Sequence, residues 1–215
     1  MEINIADLHQ VFNSSFVEEK EGSFTITEEQ AQATVNNFTF NHPRFLSFDP
    51  NNIDKINQIF EKENKDDTLF ACGCDGIFLI CQNEEWYLFL VELKSSAKKI
   101  GKALKQIQLT YSKLLNLLDF IDGINIEQFH PIGIVITPPK AETTPKDKNK
   151  LMKSAMMSKI GKQGSQLFYL AKKTISNEES ILKQVKIKDK FKFESLPVFH
   201  VNSELGEQNF TAYLN

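Results

Sequence analysis

The sequence has few of the residues and runs that mark several common classes of protein. Its 215 residues include three cysteines and four scattered histidines, so neither a disulfide framework nor a zinc site of ordinary spacing is expected. No apolar run approaches the roughly 20 residues that cross a bilayer, and the acidic start does not look like a secretion signal. We therefore expect a protein of the cytoplasm without a membrane partner. Gly-rich phosphate loops are also lacking, which argues against an enzyme that binds small phosphate esters in that way.

Arginine is nearly absent, and lysine carries the positive charge. Arg44 is the only arginine, so guanine recognition by arginine forks is scarce, whereas lysine still serves for phosphate contacts. Residues 1–97 contain 17 acidic and 6 basic residues, and residues 98–192 contain 19 lysines and 8 acidic residues. This asymmetry indicates a basic face that holds nucleic acid, unless the two regions intermix in three dimensions and their charges cancel.

The middle of the chain predicts a compact arrangement of strands and one long helix. The apolar runs Ile77–Cys81 and Trp86–Leu93, joined by a polar turn, predict a β-hairpin whose second strand is covered on both faces. A further buried strand is expected at Ile132–Thr137. Between them, apolar residues at steps of three and four predict an amphipathic helix: Ile100, Leu104, Ile107, Tyr111, Leu114 and Leu118. This order predicts an α/β fold with a mixed central sheet flanked by helices.

The segments before and after this core are predicted to be additions to it. Composition and length fit one domain over residues 1–215. A turn is expected at Asn41–Arg44, and Pro197 is expected to interrupt the strand region Phe191–Val201. Residues 139–162 are expected to form a mobile, lysine-rich loop and helix.

Three charged residues flank the predicted hairpin. Asp75 precedes the first strand, while Glu92 and Lys94 end the second. Side chains two apart on a strand share a face, and both of these strand ends lie opposite the turn, so the three side chains should converge. Two carboxylates held close repel each other, and a divalent cation removes that cost; hard oxygen ligands suit Mg²⁺, with Mn²⁺ as a substitute. An ordinary surface ion pair between Glu92 and Lys94 is the alternative interpretation.

The pattern resembles a known family. Cys74-Asp75-Gly76, then Val91-Glu92-Leu93-Lys94, then an amphipathic helix and a strand, together resemble the catalytic core of the PD-(D/E)xK, restriction-endonuclease-like, nuclease superfamily over residues 51–138. The resemblance implies a restriction-endonuclease-like core with N- and C-terminal additions. It also implies Mg²⁺-dependent hydrolysis of nucleic-acid phosphodiesters, DNA first among them, in microbial defence, restriction or DNA processing. On matching positions, Asp75 and Glu92 are the implied metal ligands and Lys94 the catalytic lysine, while Cys74 stands where the family has proline.

The resemblance suggests further site residues. Some members carry a glutamate on the helix before the hairpin, and both Glu61 and Glu63 are candidates here. Exonuclease-like members place a glutamine and a tyrosine four apart after the lysine. Gln106 and Gln108 instead lie five and three residues before Tyr111, which favours an endonuclease over an exonuclease. These glutamines either line the site or form a solvated flank.

Lysines are expected to contact the nucleic acid, in two groups. The first lies on the helix after the hairpin and the second in the lysine-rich segment: Lys98, Lys102 and Lys105, and Lys146, Lys148, Lys150 and Lys153. A solvated flexible loop is the alternative for the second group. A homodimer would let a single-site domain cut both strands. The rival function is a non-catalytic subunit of the same fold, which docks a partner protein.

Overall fold

The computed structural model describes residues 3, 5–28, 35, 37–56, 73–138, 171–176, 190, 192–193, 195–203 and 207–214. Within these residues the α-helices are α1 (Ile5–Val11), α2 (Pro50–Ile56) and α3 (Ile100–Leu118). The strands are β1 (Val17–Thr27), β2 (Asn37–Phe48), β3 (Gly76–Gln82), β4 (Glu85–Leu93), β5 (Phe129–Thr137), β6 (Ala171–Ser176), β7 (Ser195–Asn202) and β8 (Gln208–Asn209). Short 3-10 helices lie at Ala97–Lys99, Ile126–Gln128 and Phe210–Tyr213.

The described strands form one mixed sheet. Its order is β1-β2-β3-β4-β5-β7-β6, and β8 pairs with β2 off this path. Each of the first four strands is antiparallel to its neighbour in the sheet, and β6 is antiparallel to β7. In contrast, β4, β5 and β7 run parallel to one another, and α3 connects β4 to β5. The predicted α/β class, with a mixed sheet flanked by helices, is confirmed at this level.

The predicted hairpin and long helix are both present. β3 and β4 pair from Gly76↔Val91 to Gln82↔Glu85. The two residues between them, Asn83 and Glu84, have φ values of 53° and 66°. Two consecutive positive φ values define the type I′ turn, whose twist matches that of a tight two-residue hairpin. The Glu84 position is an unusual one for a residue with a side chain, because glycine normally occupies it.

Two apolar layers cover the sheet. On one face, α3 packs its apolar stripe against β4 and β5, with Ile107, Leu88 and Val135 in the same buried cluster. The other face is rich in phenylalanine, and Phe40 stacks on Phe210 with ring centroids 4.5 Å apart. Side chains therefore alternate along β4 between the two layers, as a central strand covered on both faces requires.

Two expectations about strand breaks are wrong. β2 runs through Asn41–Arg44, where a turn was predicted, and the pairing of β1 with β2 shifts register between Lys20 and Gly22. Proline is tolerated at such a bulge because the ladder is locally interrupted there. β7 likewise runs through Pro197, whose position precedes the start of its pairing with β5 at Val198.

Helices of the described ranges lack the combination of length and apolar character that a bilayer crossing needs. Helix α2 begins at Pro50, directly after Asp49. Oδ1 of Asp49 accepts a 2.9 Å hydrogen bond from the backbone N–H of Asn51, which caps the first turn.

The predicted lysine-rich loop and helix at 139–162 lie outside the described residues.

Candidate functional site

Asp75, Glu92 and Lys94 meet at the end of the hairpin opposite its turn. Ile77 and Leu90 point into the cluster beneath α3. Strand alternation therefore turns Asp75, two residues before Ile77, and Glu92, two residues after Leu90, towards the same side of the sheet. The convergence expected from the sequence is present, because the ladder from Gly76 to Gln82 leaves both strand ends at one edge.

The carboxylate of Asp75 continues the hairpin ladder by one step. Its Oδ2 accepts a 2.6 Å hydrogen bond from the backbone N–H of Leu93. This N–H lies just beyond the last paired residues, Gly76 and Val91. The side chain thus takes the place that a backbone carbonyl would occupy, and its position is set by the strand that carries Glu92 and Lys94.

Glu92 is a buried carboxyl group with only one of its oxygens satisfied. Its residue is 1% exposed. The Lys94 ammonium donates a hydrogen bond to Oε1, whereas Oε2 has no hydrogen-bond partner in the part of the chain that the structure describes. An unsatisfied oxygen of this kind costs about 1–3 kcal/mol, and more when it is charged. The ordinary surface ion pair that was the alternative interpretation does not describe this group, because surface pairs keep both oxygens in water.

Burial dominates the electrostatics of Glu92. Desolvation first, and then the neighbouring Asp75 carboxylate, raise the pKa of Glu92 from 4.5 to about 8, with a smaller contribution from Glu28. Lys94 lowers this pKa, both by its charge and by its hydrogen bond, but does not offset the first two effects. The pKa of the metal-free carboxyl group therefore lies above its ordinary value in spite of the lysine partner.

The two carboxyl groups fit a small divalent cation. Oε2 of Glu92 has no hydrogen-bond partner among the described residues, and the charge of Asp75 acts on the same carboxyl group, so a cation bound by both would relieve the repulsion and supply the missing contact. Mg²⁺ is commonly held by one or two carboxylates while water and substrate phosphate complete its shell, and Mn²⁺ accepts the same ligands. The described residues do not gather three or more His, Cys, Asp or Glu side chains into a metal-binding group, so Asp75 and Glu92 are the protein ligands that the described site offers.

Helix α3 holds the chain segment that leads into Asp75. The amide Nε2 of Gln106 donates a 2.9 Å hydrogen bond to the carbonyl of Gly73. One turn later, the Thr110 hydroxyl oxygen accepts a 3.0 Å hydrogen bond from the backbone N–H of Cys74. Gln106 and Thr110 are four residues apart, so they lie on one face of the helix. Each forms a hydrogen bond with one of two successive backbone residues, Gly73 and Cys74.

The remaining predicted residues fall in three groups. Gln108 is buried and Gln106 half-buried, so neither forms the solvated flank that was the alternative. At the start of α3 and the turn before it, Lys98 and Lys102 are exposed and Lys105 is half-buried. The others lie outside the described residues and stay predictions: Glu61, Glu63, Lys146, Lys148, Lys150 and Lys153.

Further polar groups near these three residues are not predicted from the sequence. Glu28, which follows β1, is close enough for its charge to raise the pKa of Glu92. Thr137 ends β5, and its Oγ1 lies 2.8 Å from Nε2 of His200 on β7. The position of Thr137 could have been predicted, because Thr137 ends an apolar strand, as Glu92 does. The position of His200 could not, because its hydrogen bond to Thr137 joins residues 63 positions apart.

A cavity of about 290 Å³ adjoins this group of residues. Asp75 and Gly76 line it, together with Glu18 and Asp49 from neighbouring elements. A Cβ atom at position 76 would lie 2.4 Å from the side chain of Ile26 on β1. Glycine at this position therefore lets β1 pack closely against the residue that follows Asp75.

In comparisons with protein-family models, with curated proteins and with solved structures, nothing matches the chain. The resemblance to PD-(D/E)xK nucleases therefore stays a prediction, and it depends on three charged residues and the order of hairpin, helix and strand. Function is inferred below from the chemistry of the site itself.

Proposed function

We propose that the protein is a metal-dependent nuclease that hydrolyses phosphodiester bonds of nucleic acid, with DNA as the first substrate to test. One observation carries the proposal: the buried Oε2 of Glu92 has no hydrogen-bond partner among the described residues, and the charge of Asp75 acts on the same carboxyl group. The ion pair with Lys94 leaves Oε2 without a contact among the described residues, and the charge of Asp75 opposes the ionisation of Glu92. The arrangement becomes favourable when a cation is bound there.

Asp75 and Glu92 are the residues that would hold the ion. When bound, Mg²⁺ supplies a Lewis acid for the phosphoryl oxygen and lowers the pKa of a bound water. The protein contributes the orientation of its ligands. Asp75 is fixed by the N–H of Leu93, and Glu92 is fixed by the end of a central strand and by Lys94.

Lys94 links the buried acid to the surface. Its side chain is 11% exposed, compared with 1% for Glu92, so Lys94 is the more accessible member of the pair. It either stabilises negative charge on the phosphoryl oxygen or orients the attacking water. Both roles act on the chemical step, and the binding of nucleic acid belongs to other residues.

Binding is assigned to the lysines after the site. Lys98 and Lys102 are exposed and follow Lys94 within one short turn and the start of α3. Lysine contacts to phosphate release condensed counterions, so such binding weakens steeply with salt. A place in microbial defence, restriction or DNA processing goes with this proposal through the family resemblance alone.

The test is incubation of the purified protein with plasmid, linear duplex and single-stranded DNA and with RNA, in Mg²⁺, Mn²⁺ or EDTA. We expect cleavage with either metal and none in EDTA. Glu92→Gln should be inactive, whereas Glu85→Gln, which removes an exposed acid from the other end of the same strand, should cleave like wild type. An absence of cleavage on every substrate would contradict the proposal and favour the non-catalytic subunit.

A further inference from the structure

Thr137 and His200 extend the polar part of the site onto two more strands. Thr137 is the last residue of β5, and His200 lies near the end of β7. Oγ1 of Thr137 and Nε2 of His200 are 2.8 Å apart, so one donates a hydrogen bond to the other. The proposed chemistry uses neither residue so far.

The strand register places this pair next to Lys94. β4 and β5 pair in parallel up to Leu93↔Ile136, and the backbone N–H of Lys94 then donates a 2.8 Å hydrogen bond to the carbonyl of Ile136. Lys94 and Thr137 are therefore neighbours across two adjacent strands, which lie about 4.8 Å apart. His200 comes from the next strand, where it pairs with Val135.

The two side chains also lie on the correct face of the sheet. Val135 and Val198 point into the cluster beneath α3. Alternation gives the same direction to Thr137, two residues after Val135, and to His200, two residues after Val198. This is the face on which Asp75 and Glu92 lie, so the polar groups form one line across β3, β4, β5 and β7.

The line follows the edge where parallel strands end. β4, β5 and β7 run in one direction, so their carboxyl ends meet at the same side of the sheet. In α/β sheets, ligands bind outside such carboxyl ends. Each of the three strands contributes a polar side chain there: Lys94 just past the end of β4, Thr137 on β5 and His200 on β7.

The two residues differ in how they reach a ligand. Thr137 is 4% exposed, so its hydroxyl group is covered and serves to hold the imidazole. His200 is only half-buried. A hydrogen bond at one ring nitrogen fixes the orientation and tautomer of a histidine, which is how a neighbouring group prepares an imidazole for a ligand.

We propose that His200, oriented by Thr137, binds a phosphodiester of the substrate beside Lys94, so that the anion-binding part of the site spans β4 to β7. The inference rests on the proposed nuclease function, because it assigns the same site a second phosphate contact. Thr137 is a positioning residue in this arrangement, and His200 touches the substrate.

A small diester tests the contact without any cleavage. The full chain is titrated with dimethyl phosphate in Mg²⁺, with sodium chloride at matched ionic strength as control, while the Cε1–H signals of its four histidines are recorded by NMR. We expect the signal that disappears in His200→Gln to shift, and those of His9, His42 and His130 to stay. Thr137→Val should abolish the shift, and Thr137→Ser, which restores the hydroxyl group, should recover it.

Oligonucleotide binding and single-turnover cleavage complete the test. His200→Gln and Thr137→Val should each weaken binding or slow cleavage by ~10- to 100-fold, the scale of one hydrogen bond to a charged group. Thr137→Ser should stay close to wild type. Ser195→Ala changes an exposed residue at the opposite end of β7 and serves as the matched control.

The outcomes separate this inference from the nuclease proposal. If no nucleic acid is cleaved and dimethyl phosphate still shifts the His200 signal, the nuclease proposal fails and the phosphate contact stands. If DNA is cleaved but the His200 signal does not respond, the inference is overturned, and the Thr137–His200 bond serves only to join β5 to β7. If the His200 signal does not shift and no substrate is cleaved, both the nuclease proposal and the phosphate contact are contradicted.

Discussion

The backbone N–H of Leu93 donates a 2.6 Å hydrogen bond to Oδ2 of Asp75. Leu93 lies between Glu92 and Lys94, so this single bond ties the first acid to the strand that carries the other two charged groups. The relative positions of all three are therefore set by the hairpin ladder, which is more rigid than a loop. Rigid support of this kind is what a site needs to hold ligands in place.

Conservative removal of either carboxylate should abolish metal binding while the fold remains. Asp75→Asn keeps an oxygen that can accept the Leu93 N–H, and Glu92→Gln keeps the shape of the buried side chain. We expect both variants to lose Mn²⁺ binding, measured by calorimetry, and to lose cleavage, with an unchanged circular dichroism spectrum. Asp75→Ala should in addition lose about 1–3 kcal/mol of stability, because a buried N–H is left unpaired.

Glu85→Gln is the control, because it changes an exposed acid on the same strand. Mn²⁺ affinity in Asp75→Asn or Glu92→Gln equal to that of wild type would show that these residues do not hold the ion.

The stability of the metal-free protein should fall as pH rises from about 5 to 8. The pKa of Glu92 is raised from 4.5 to about 8 in the folded state, so in this range the folded protein holds a proton that the unfolded chain releases. The free energy of unfolding then decreases with pH. The contribution is fully present below about pH 4.5 and is lost as the pH passes about 8.

Urea unfolding in EDTA at several pH values measures this effect. Glu92→Gln has no proton to lose, so its stability should depend less on pH, and the difference from wild type should reach a few kcal/mol. Mg²⁺ should stabilise the wild type more at pH 8 than at pH 6, because cation and proton compete for one carboxylate. Identical pH profiles for the two proteins would contradict the raised pKa.

Thr110 should matter for both stability and metal affinity. Its hydroxyl oxygen accepts the Cys74 N–H, and both residues are buried. Thr110→Val keeps the shape but leaves that N–H without its acceptor, at a cost of about 1–3 kcal/mol. It should also weaken Mn²⁺ binding, because the segment that carries Asp75 loses one of its two contacts with α3.

Thr110→Ser retains the hydroxyl group and is the control for this prediction. We expect it to bind Mn²⁺ like wild type and to lose only the stability that belongs to one buried methyl group, about 1 kcal/mol. If Thr110→Val binds Mn²⁺ as tightly as Thr110→Ser, the contact supports the fold alone.

Local patterns were enough to predict the hairpin, the long helix and the meeting of the three charged residues. Each depends on a pattern that the sequence displays: apolar runs of strand length at β3 and β4, and steps of three and four on α3. The convergence of Asp75 with Glu92 followed because both residues stand at the strand ends opposite the turn.

Contacts between distant parts of the chain could not be predicted in the same way. The bond between Thr137 and His200 requires β7 to insert between β5 and β6, and no local pattern specifies that order. The strand through Pro43 depends on a bulge in β2, where Pro43 and Arg44 lie opposite the single residue Glu21 of β1. The hydrogen bond from Gln106 to Gly73 joins residues 33 positions apart. The family resemblance names Gln106 as a candidate for lining the site but does not predict this bond.

The exposed lysines after the site should set the salt dependence of binding. Lys98→Ala with Lys102→Ala should reduce the slope of log K against log salt by about 0.9 for each lost contact with duplex DNA. Lys190→Ala is the control, because Lys190 pairs with Asp119 just past the far end of α3. An unchanged slope in the double variant would show that these lysines form a solvated surface and that binding lies elsewhere, as in the predicted group at Lys146, Lys148, Lys150 and Lys153.

The role of Lys94 gives the sharpest prediction, because its ammonium group touches Glu92 and its backbone N–H is bonded to the carbonyl of Ile136, the residue before Thr137. If it positions water or stabilises the phosphoryl charge, its loss should slow the chemical step far more than it weakens substrate binding. Lys94→Ala should cleave at least ~10²-fold more slowly at saturating Mg²⁺, the scale of one acid–base or electrostatic contribution. Lys94→Arg should restore only part of the rate, because a planar guanidinium directs its donors differently and cannot act as a base. Single-turnover cleavage, measured beside oligonucleotide affinity, separates the two effects, and a defect confined to affinity would reduce Lys94 to the ion-pair partner of Glu92.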